Sequence, residues 1–128
     1  MILDSDVLIW FLRRETTAKH LIDSSENRAI SVVSLMELLQ GAKSKHEMML
    51  IRSLIADTGF RVLPLEESIG EAALVLIEEH ASSNGLQLAD ALIAATAIKA
   101  GEVLATGNVR HFRPIRALHV KPFHPQRH

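Results

Sequence analysis

Short aliphatic runs alternate with segments of helical period along the whole of this chain, and that alternation narrows its possible folds more than any other feature. Ile2-Leu3 reads as a buried strand stub ended by Asp4. A helix is predicted through Val7–Arg13, capped by Ser5 or Asp6, and a second over Ala18–Ser25. Arg28–Val33 is short and β-branched and reads as the next strand. Ser34 then opens a helix through Leu35–Ala42, and another follows over about Glu47–Ala56, with Met48, Met49, Ile51, Leu54 and Ile55 forming a wide apolar face. Phe60–Leu65 is the third strand. Over Glu66–Ser83, Ile69, Ala72, Ala73, Leu76, Ile77 and His80 recur at the three-to-four spacing of one helix face. Ala89–Ala100 is a helix rich in small residues, with Gly101 as its stop. Glu102–Thr106 and Leu118–Val120 complete the strands, and Pro114, Pro122 and Pro125 interrupt the tail.

Strands separated by helices imply an α/β fold with a mostly parallel sheet, and right-handed crossovers put helices on both faces, as a three-layer α/β/α sandwich. With 128 residues and no internal repeat or linker, a single domain spanning 1–128 is expected, its end (about 113–128) being a basic tail. In such sheets ligands sit beyond the carboxyl ends of the strands. Asp4 ends the first strand and Thr106-Gly107-Asn108 ends a later one, so both are expected on one rim.

The charge total decides little. Fourteen Lys and Arg against 15 Asp and Glu give a net charge of −1, which by itself favours neither nucleic acid nor membrane. The distribution says more: Glu102 is the last acid, and Arg110, Arg113, Arg116, Lys121 and Arg127 follow it. The absence of cysteine excludes a disulfide framework and a thiolate zinc site, and suits a reducing cytoplasm. Acids at positions 4 and 6 argue against a secretory leader, and the apolar run Val7–Leu12 is too short to cross a bilayer.

Three acids stand out in apolar settings: Asp4, Glu37 and Asp90. Each alone has an ordinary structural explanation. Asp4 could cap a helix, although Asp6 would serve equally well. Glu37 stands three residues after Ser34, the spacing of a capping box, and Asp90 could complement a helix dipole. Gathered on one rim, however, carboxylates repel one another and raise each other's pKa unless a cation intervenes. Hard oxygen donors with no local histidine pair select Mg²⁺, or Mn²⁺, over zinc. An ion held there can lower the pKa of a water and stabilise charge on a phosphodiester.

Four segments carry a resemblance. Asp4-Ser5-Asp6-Val7-Leu8-Ile9 resembles the opening D-[ST]-[ND]-V-L-I motif of PIN-domain nucleases, in particular the VapC-type toxins of toxin–antitoxin pairs. Ser34-Leu35-Met36-Glu37-Leu38-Leu39-Gln40-Gly41 is similar to their S-x-x-E-L-x-x-G stretch, and Asp90-Ala91-Leu92-Ile93-Ala94-Ala95-Thr96-Ala97 to their D-A-L-I-A-A-T-A segment. Thr106-Gly107-Asn108-Val109-Arg110-His111-Phe112 resembles the closing T-x-[DN]-x-x-[DH]-F. The four occur in family order from residue 4 to 112. The resemblance implies an α/β/α sandwich, Mg²⁺-dependent endoribonuclease activity, a homodimer and inhibition by a small cognate antitoxin. It also implies that Asp4, Glu37 and Asp90 are the catalytic, metal-binding acids.

Two departures from the pattern stand beside it. Many PIN domains carry a fourth acid after the last motif threonine; here Asn108 stands in, as a neutral oxygen ligand or a positioner of water. His111 occupies a place often held by Asp, where a lone histidine near a loop is commonly a surface residue. Thr106, Arg110 and Arg113 are candidate RNA contacts beside the acidic site. Trp10 and Phe11 are expected to pack against core or partner helices rather than bases. A positive mean hydropathy and the Met48, Met49, Ile51, Ile55 face point to apolar surface covered by a second copy or an antitoxin. A housekeeping RNA-processing PIN nuclease and a catalytically inactive PIN fold acting as a binding module are the alternatives. A neighbouring small open reading frame would separate out the first, and chelator-sensitive RNA cleavage the second.

Overall fold

The structure is a computed structural model and describes residues 1–126; Arg127 of the basic tail lies outside the described residues. Its strands are β1 (Ile2–Leu3), β2 (Ala29–Ser31), β3 (Arg61–Leu63), β4 (Leu104–Thr106) and β5 (Val120–Pro122). The helices are α1 (Ser5–Leu12), α2 (Thr16–Asp23), α3 (Val32–Gln40), α4 (Lys45–Asp57), α5 (Glu67–Asn84), α6 (Leu88–Ala100) and α7 (Val109–Phe112). All described strand pairings are parallel, in the order β3-β2-β1-β4-β5.

Successive strand residues point to opposite faces, and each face has its own core. Ile2, Ala29 and Leu104 join α5, α6 and Phe112 on one side. Leu3, Ile30 and Ala105 join α1, α2 and α4 on the other. Three layers result, as the alternating pattern implied. Helix α6 is buried along most of its length, through Ala91, Ile93, Ala94, Ala95, Thr96 and Ala97. Small side chains there let α5 and the sheet approach closely, and Gly101 ends the helix in the left-handed conformation at φ 65°.

Several local boundaries differ from the sequence expectation, each for an identifiable reason. Helix α3 starts at Val32 because the Ser31 hydroxyl accepts from the Val33 amide at 3.1 Å. Ser34 is therefore inside the helix, fully buried, with no hydrogen-bond partner for its hydroxyl among the described residues. The Ser34–Glu37 capping box does not exist. Helix α2 begins at Thr16 because the Glu15 carboxylate caps it, accepting from Thr17 and Ala18 at 2.9 and 2.8 Å.

The apolar face of α4 is divided. Ile51 and Ile55 are buried in the core, whereas Met49 and Leu50 are 66% and 56% exposed. On α5, Ile69, Ala73 and Leu76 face inward and Ala72 faces solvent. The last strand shifts to Val120–Pro122, since Leu118 is drawn into the core before pairing begins. Pro122 is tolerated there because β5 is an edge strand.

The chain runs outward from β1 to β2 and β3, then crosses back to β4 on β1's other side. The topological switch point thus lies between β1 and β4, where open parallel sheets bind ligands. The Asp4 amide donates to the Ala105 carbonyl at 2.9 Å, which carries the pairing one residue past β1 and sets Asp4 beside Thr106.

Removing the unpartnered Ser34 hydroxyl should stabilise the protein. A buried, unsatisfied polar group costs about 1–3 kcal/mol, and alanine is the better helix former. Ser34→Ala is expected to raise the melting temperature; a fall of several degrees by calorimetry would show that the hydroxyl has a partner.

Candidate active site

Asp4 follows β1 and forms the N-cap of α1, and only 5% of it is exposed. Its two oxygens are held by different donors. Ser5 N–H donates to Oδ1 at 2.8 Å, and the Thr106 hydroxyl donates to Oδ2 at 2.7 Å. Burial pushes the Asp4 carboxyl up to about 7, against these two hydrogen bonds, and the negative charges of Asp6 and Asp90 push it the same way. The sheet thus places Asp4 and Asp90 in one electrostatic cluster, as the shared rim implied.

Asp6 belongs to that cluster, although sequence reasoning treated it only as an alternative cap. Its Oδ1 accepts from Val7 N–H and its Oδ2 from Gly107 N–H, both at 2.8 Å. Burial raises its pKa, opposed by those amides, and Asp90 adds to the rise. A β-carbon at Gly107 would lie 2.6 Å from Asp6 Oδ2, so a larger residue there would have to displace the Asp6 carboxylate from its present place. The signal was in the sequence: an acid two residues after Asp4 and a glycine after Thr106.

The remaining residues form the margin of the crevice. Glu37, on α3, is exposed, and its Oε1 accepts from the Ser5 hydroxyl at 3.1 Å. With no capping box, that bond links it to the turn that carries Asp4. Asp90 lies in the first turn of α6, its side chain 16% exposed, with Oδ2 3.2 Å from His111 Nδ1. Asn108 gives its backbone N–H to the Thr106 hydroxyl at 2.9 Å, and its side-chain amide lies 2.9 Å from the same His111 nitrogen. His111 is therefore no bland surface residue.

Thr106 requires a correction. It is fully buried and its hydroxyl is committed to Asp4 and to the Asn108 amide, so it cannot reach RNA. Arg110 on α7 and Arg113 at its C-terminal end are exposed, and neither forms an ion pair among the described residues.

Among the described residues, no three histidine, aspartate or glutamate side chains converge tightly enough to enclose an ion by themselves. Mg²⁺ does not require that. It keeps several waters and is usually held through one or two carboxylates plus substrate phosphate. Asp4 and Asp90, whose charges repel across the crevice, are hard donors of that kind.

A parallel sheet with a buried aspartate at its switch point and further acids around it defines a class, and comparison with known proteins specifies it. The PIN domain family model matches residues 1–117, and the chain belongs to that family. It is 39% identical over 116 residues to Ribonuclease VapC10 of Mycobacterium tuberculosis, covering 88% of this chain and 85% of that protein. A toxin–antitoxin complex from Klebsiella pneumoniae contains a chain of similar structure, with TM-score 0.79 and 29% identity, covering 95% of this chain and 97% of that one. The DNA-bound VapBC of Salmonella typhimurium shares the fold at TM-score 0.79 and 22% identity, covering 94% and 96%.

The raised pKa of Asp4 has a consequence for stability. Between the ordinary value of 3.8 and about 7 the folded protein binds a proton at Asp4 that the unfolded chain does not. Stability contributed by that proton is present at low pH and is lost as pH rises through this window. In chelator-treated protein, Asp4→Asn should therefore melt above wild type at pH 8, with the gap closing towards pH 4. A gap that stays constant across the window would contradict it.

Proposed function

We propose that this protein is a metal-dependent endoribonuclease, the toxin of a VapBC-type toxin–antitoxin pair, acting in the cytoplasm. The observation that carries this reading is the buried Asp4 carboxylate, with Asp90 nearby, at the switch point of a PIN-domain sheet. The 39% identity to a ribonuclease adds the substrate class.

In this reading Asp4, Asp90 and Glu37 would hold Mg²⁺, or Mn²⁺ in its place. When bound, the ion supplies a water of lowered pKa and a counter-charge for the phosphodiester. The chain's own groups do the rest. Ser5 N–H and the Thr106 hydroxyl fix both oxygens of Asp4, so its orientation does not depend on substrate. Glu37, exposed and bonded through one oxygen, is the carboxylate placed to take a proton from the attacking water. Asn108 assists at the crevice edge. Arg110 and Arg113 are free to bind phosphates flanking the cleaved bond, a contact that positions RNA without reading its sequence.

The partner proteins follow from apolar surface. A groove of about 690 Å³ is floored by Phe11, Leu12, Leu50, Ile51 and Leu54 and edged by Arg14, Lys19 and Glu47. Helix α4, which carries Leu50, Ile51 and Leu54, also exposes Met48 and Met49. The structural relatives include toxin–antitoxin complexes, and we assign this face to a cognate antitoxin. Leu74 and Val75, 62% and 50% exposed on α5, provide apolar surface for a homodimer.

Asp90→Asn should retain the fold and lose Mg²⁺-dependent RNA cleavage, since a neutral amide holds a hard cation poorly. Rates like those of wild type at saturating Mg²⁺ would overturn the metal assignment. For Glu37→Gln the expected loss is about 100-fold or more in kcat, with little change in melting temperature. Cleavage unaffected by that substitution would remove Glu37 from the mechanism.

A further inference from the structure

His111 contacts two groups through one nitrogen, and they demand opposite things of it. Nδ1 lies 3.2 Å from Asp90 Oδ2 and 2.9 Å from the side-chain amide of Asn108. An ionised carboxylate only accepts hydrogen bonds, so the Asp90 contact is favourable only when Nδ1 carries a hydrogen. A protonated Nδ1 cannot accept from an NH₂ group. The Asn108 amide must then turn its oxygen to the ring, an orientation that exchanges two atoms nearly indistinguishable in shape.

The backbone is built to hold this arrangement. Helix α7 is a single turn, anchored by the fully buried Phe112 next to His111 and packed in the same core as α6. His111 N–H donates to the Asn108 carbonyl at 3.3 Å, and Arg113 N–H to the Val109 carbonyl at 2.9 Å. The ring is thereby held against the helix that carries Asp90.

We infer that His111 is a positioning residue: its Nδ1–H orients Asp90 for the metal and turns the oxygen of Asn108 inward, leaving the amide NH₂ as the group Asn108 offers to substrate. Asn108 is then a donor to a phosphate oxygen and not an oxygen ligand. Where an acid in place of His111 would repel Asp90, the imidazole stabilises it by donation. Groups that orient a metal-binding carboxylate commonly change metal affinity about 10- to 100-fold when removed.

This inference rests on the metal-site reading above, and its tests are chosen to fail separately from it. The tautomer of His111 can be read directly by long-range ¹H–¹⁵N correlation on the Mg²⁺-saturated, RNA-free protein. A hydrogen on Nδ1 is expected; a neutral ring protonated only at Nε2 would overturn the proposal, whatever the protein's activity. Calorimetric titration with Mn²⁺, again without RNA, supplies the second measurement. His111→Ala should weaken binding about 10-fold or more. His111→Asn, whose amide N–H lies near the position of Nδ1, should restore affinity to within about threefold, and His111→Gln, whose amide extends towards the Nε2 position, should not. Mn²⁺ affinity unchanged in a folded His111→Ala protein would sink the idea, as would equal rescue by Gln and Asn. Absence of RNA cleavage by wild type despite tight Mn²⁺ binding and the Nδ1–H tautomer would count against the nuclease reading while supporting the role of His111.

Discussion

The buried carboxylate of Asp4 is the constraint around which the rest of the site is arranged. A carboxylate removed from water disfavours its own ionisation, and this one also faces the charges of two neighbours. The Thr106 hydroxyl and the Ser5 amide oppose that tendency. Both are products of the sheet. Parallel pairing of β1 with β4 carries on to Asp4 N–H, and this sets Thr106 at hydrogen-bonding distance from the side chain. The 102 residues of separation between the two are closed by topology. The reversal of strand order at β1 makes the crevice, and β1 ends in an acid at that point.

The loop after β4 ties the remaining groups together. Thr106 accepts the Asn108 amide while donating to Asp4, and Gly107 donates to Asp6. Phe112 then anchors α7 in the core, and His111 meets Asp90. Three residues of this one segment, Thr106, Gly107 and His111, thus touch three acids drawn from two different helices and a strand end. Because every link is short, a β-carbon added at Gly107 would press directly on the Asp6 carboxylate. Active-site groups held this way are oriented before a substrate arrives, which reduces the reorganisation needed during reaction.

Much of this was legible in the sequence, because the relevant signals are periodic or local. Alternation of short aliphatic runs with helical segments gave the three layers, and the place of Asp4 and Thr106 at strand ends gave the rim. What could not be read depended on which of two similar residues wins a local competition. Ser31 and Ser34 are both reasonable caps for α3; burial of Val33 and Ser34 against the core starts the helix at Val32 and decides for Ser31. That choice removed the capping box and left Glu37 with Ser5 as its partner. Asp6 was visible as an acid beside Asp4, but its part in the site was not, because its partner Gly107 lies 101 residues away. The division of the α4 face had a different cause: Ile51 and Ile55 fall on the core side of the helix, while Met49 and Leu50 fall outside it.

The neutral residues at the end of the site make physical sense once Asp6 is included. Asp4, Asp6 and Asp90 already interact through their charges, and the first two have raised pKa values, chiefly from burial. Another acid at the position of His111, whose Nδ1 lies 3.2 Å from Asp90, would set two carboxylates against each other, and such pairs resist joint ionisation. An imidazole and an amide in that corner supply hydrogen bonds without adding negative charge. The site therefore keeps its carboxylates where burial and sheet geometry fix them and surrounds Asp90 with hydrogen-bonding groups that add no negative charge. Positive charge is carried instead by the exposed Arg110 and Arg113, the phosphate contacts proposed above. The sequence follows the same division: no acid occurs after Glu102, and the loop that completes the site is the beginning of the basic tail.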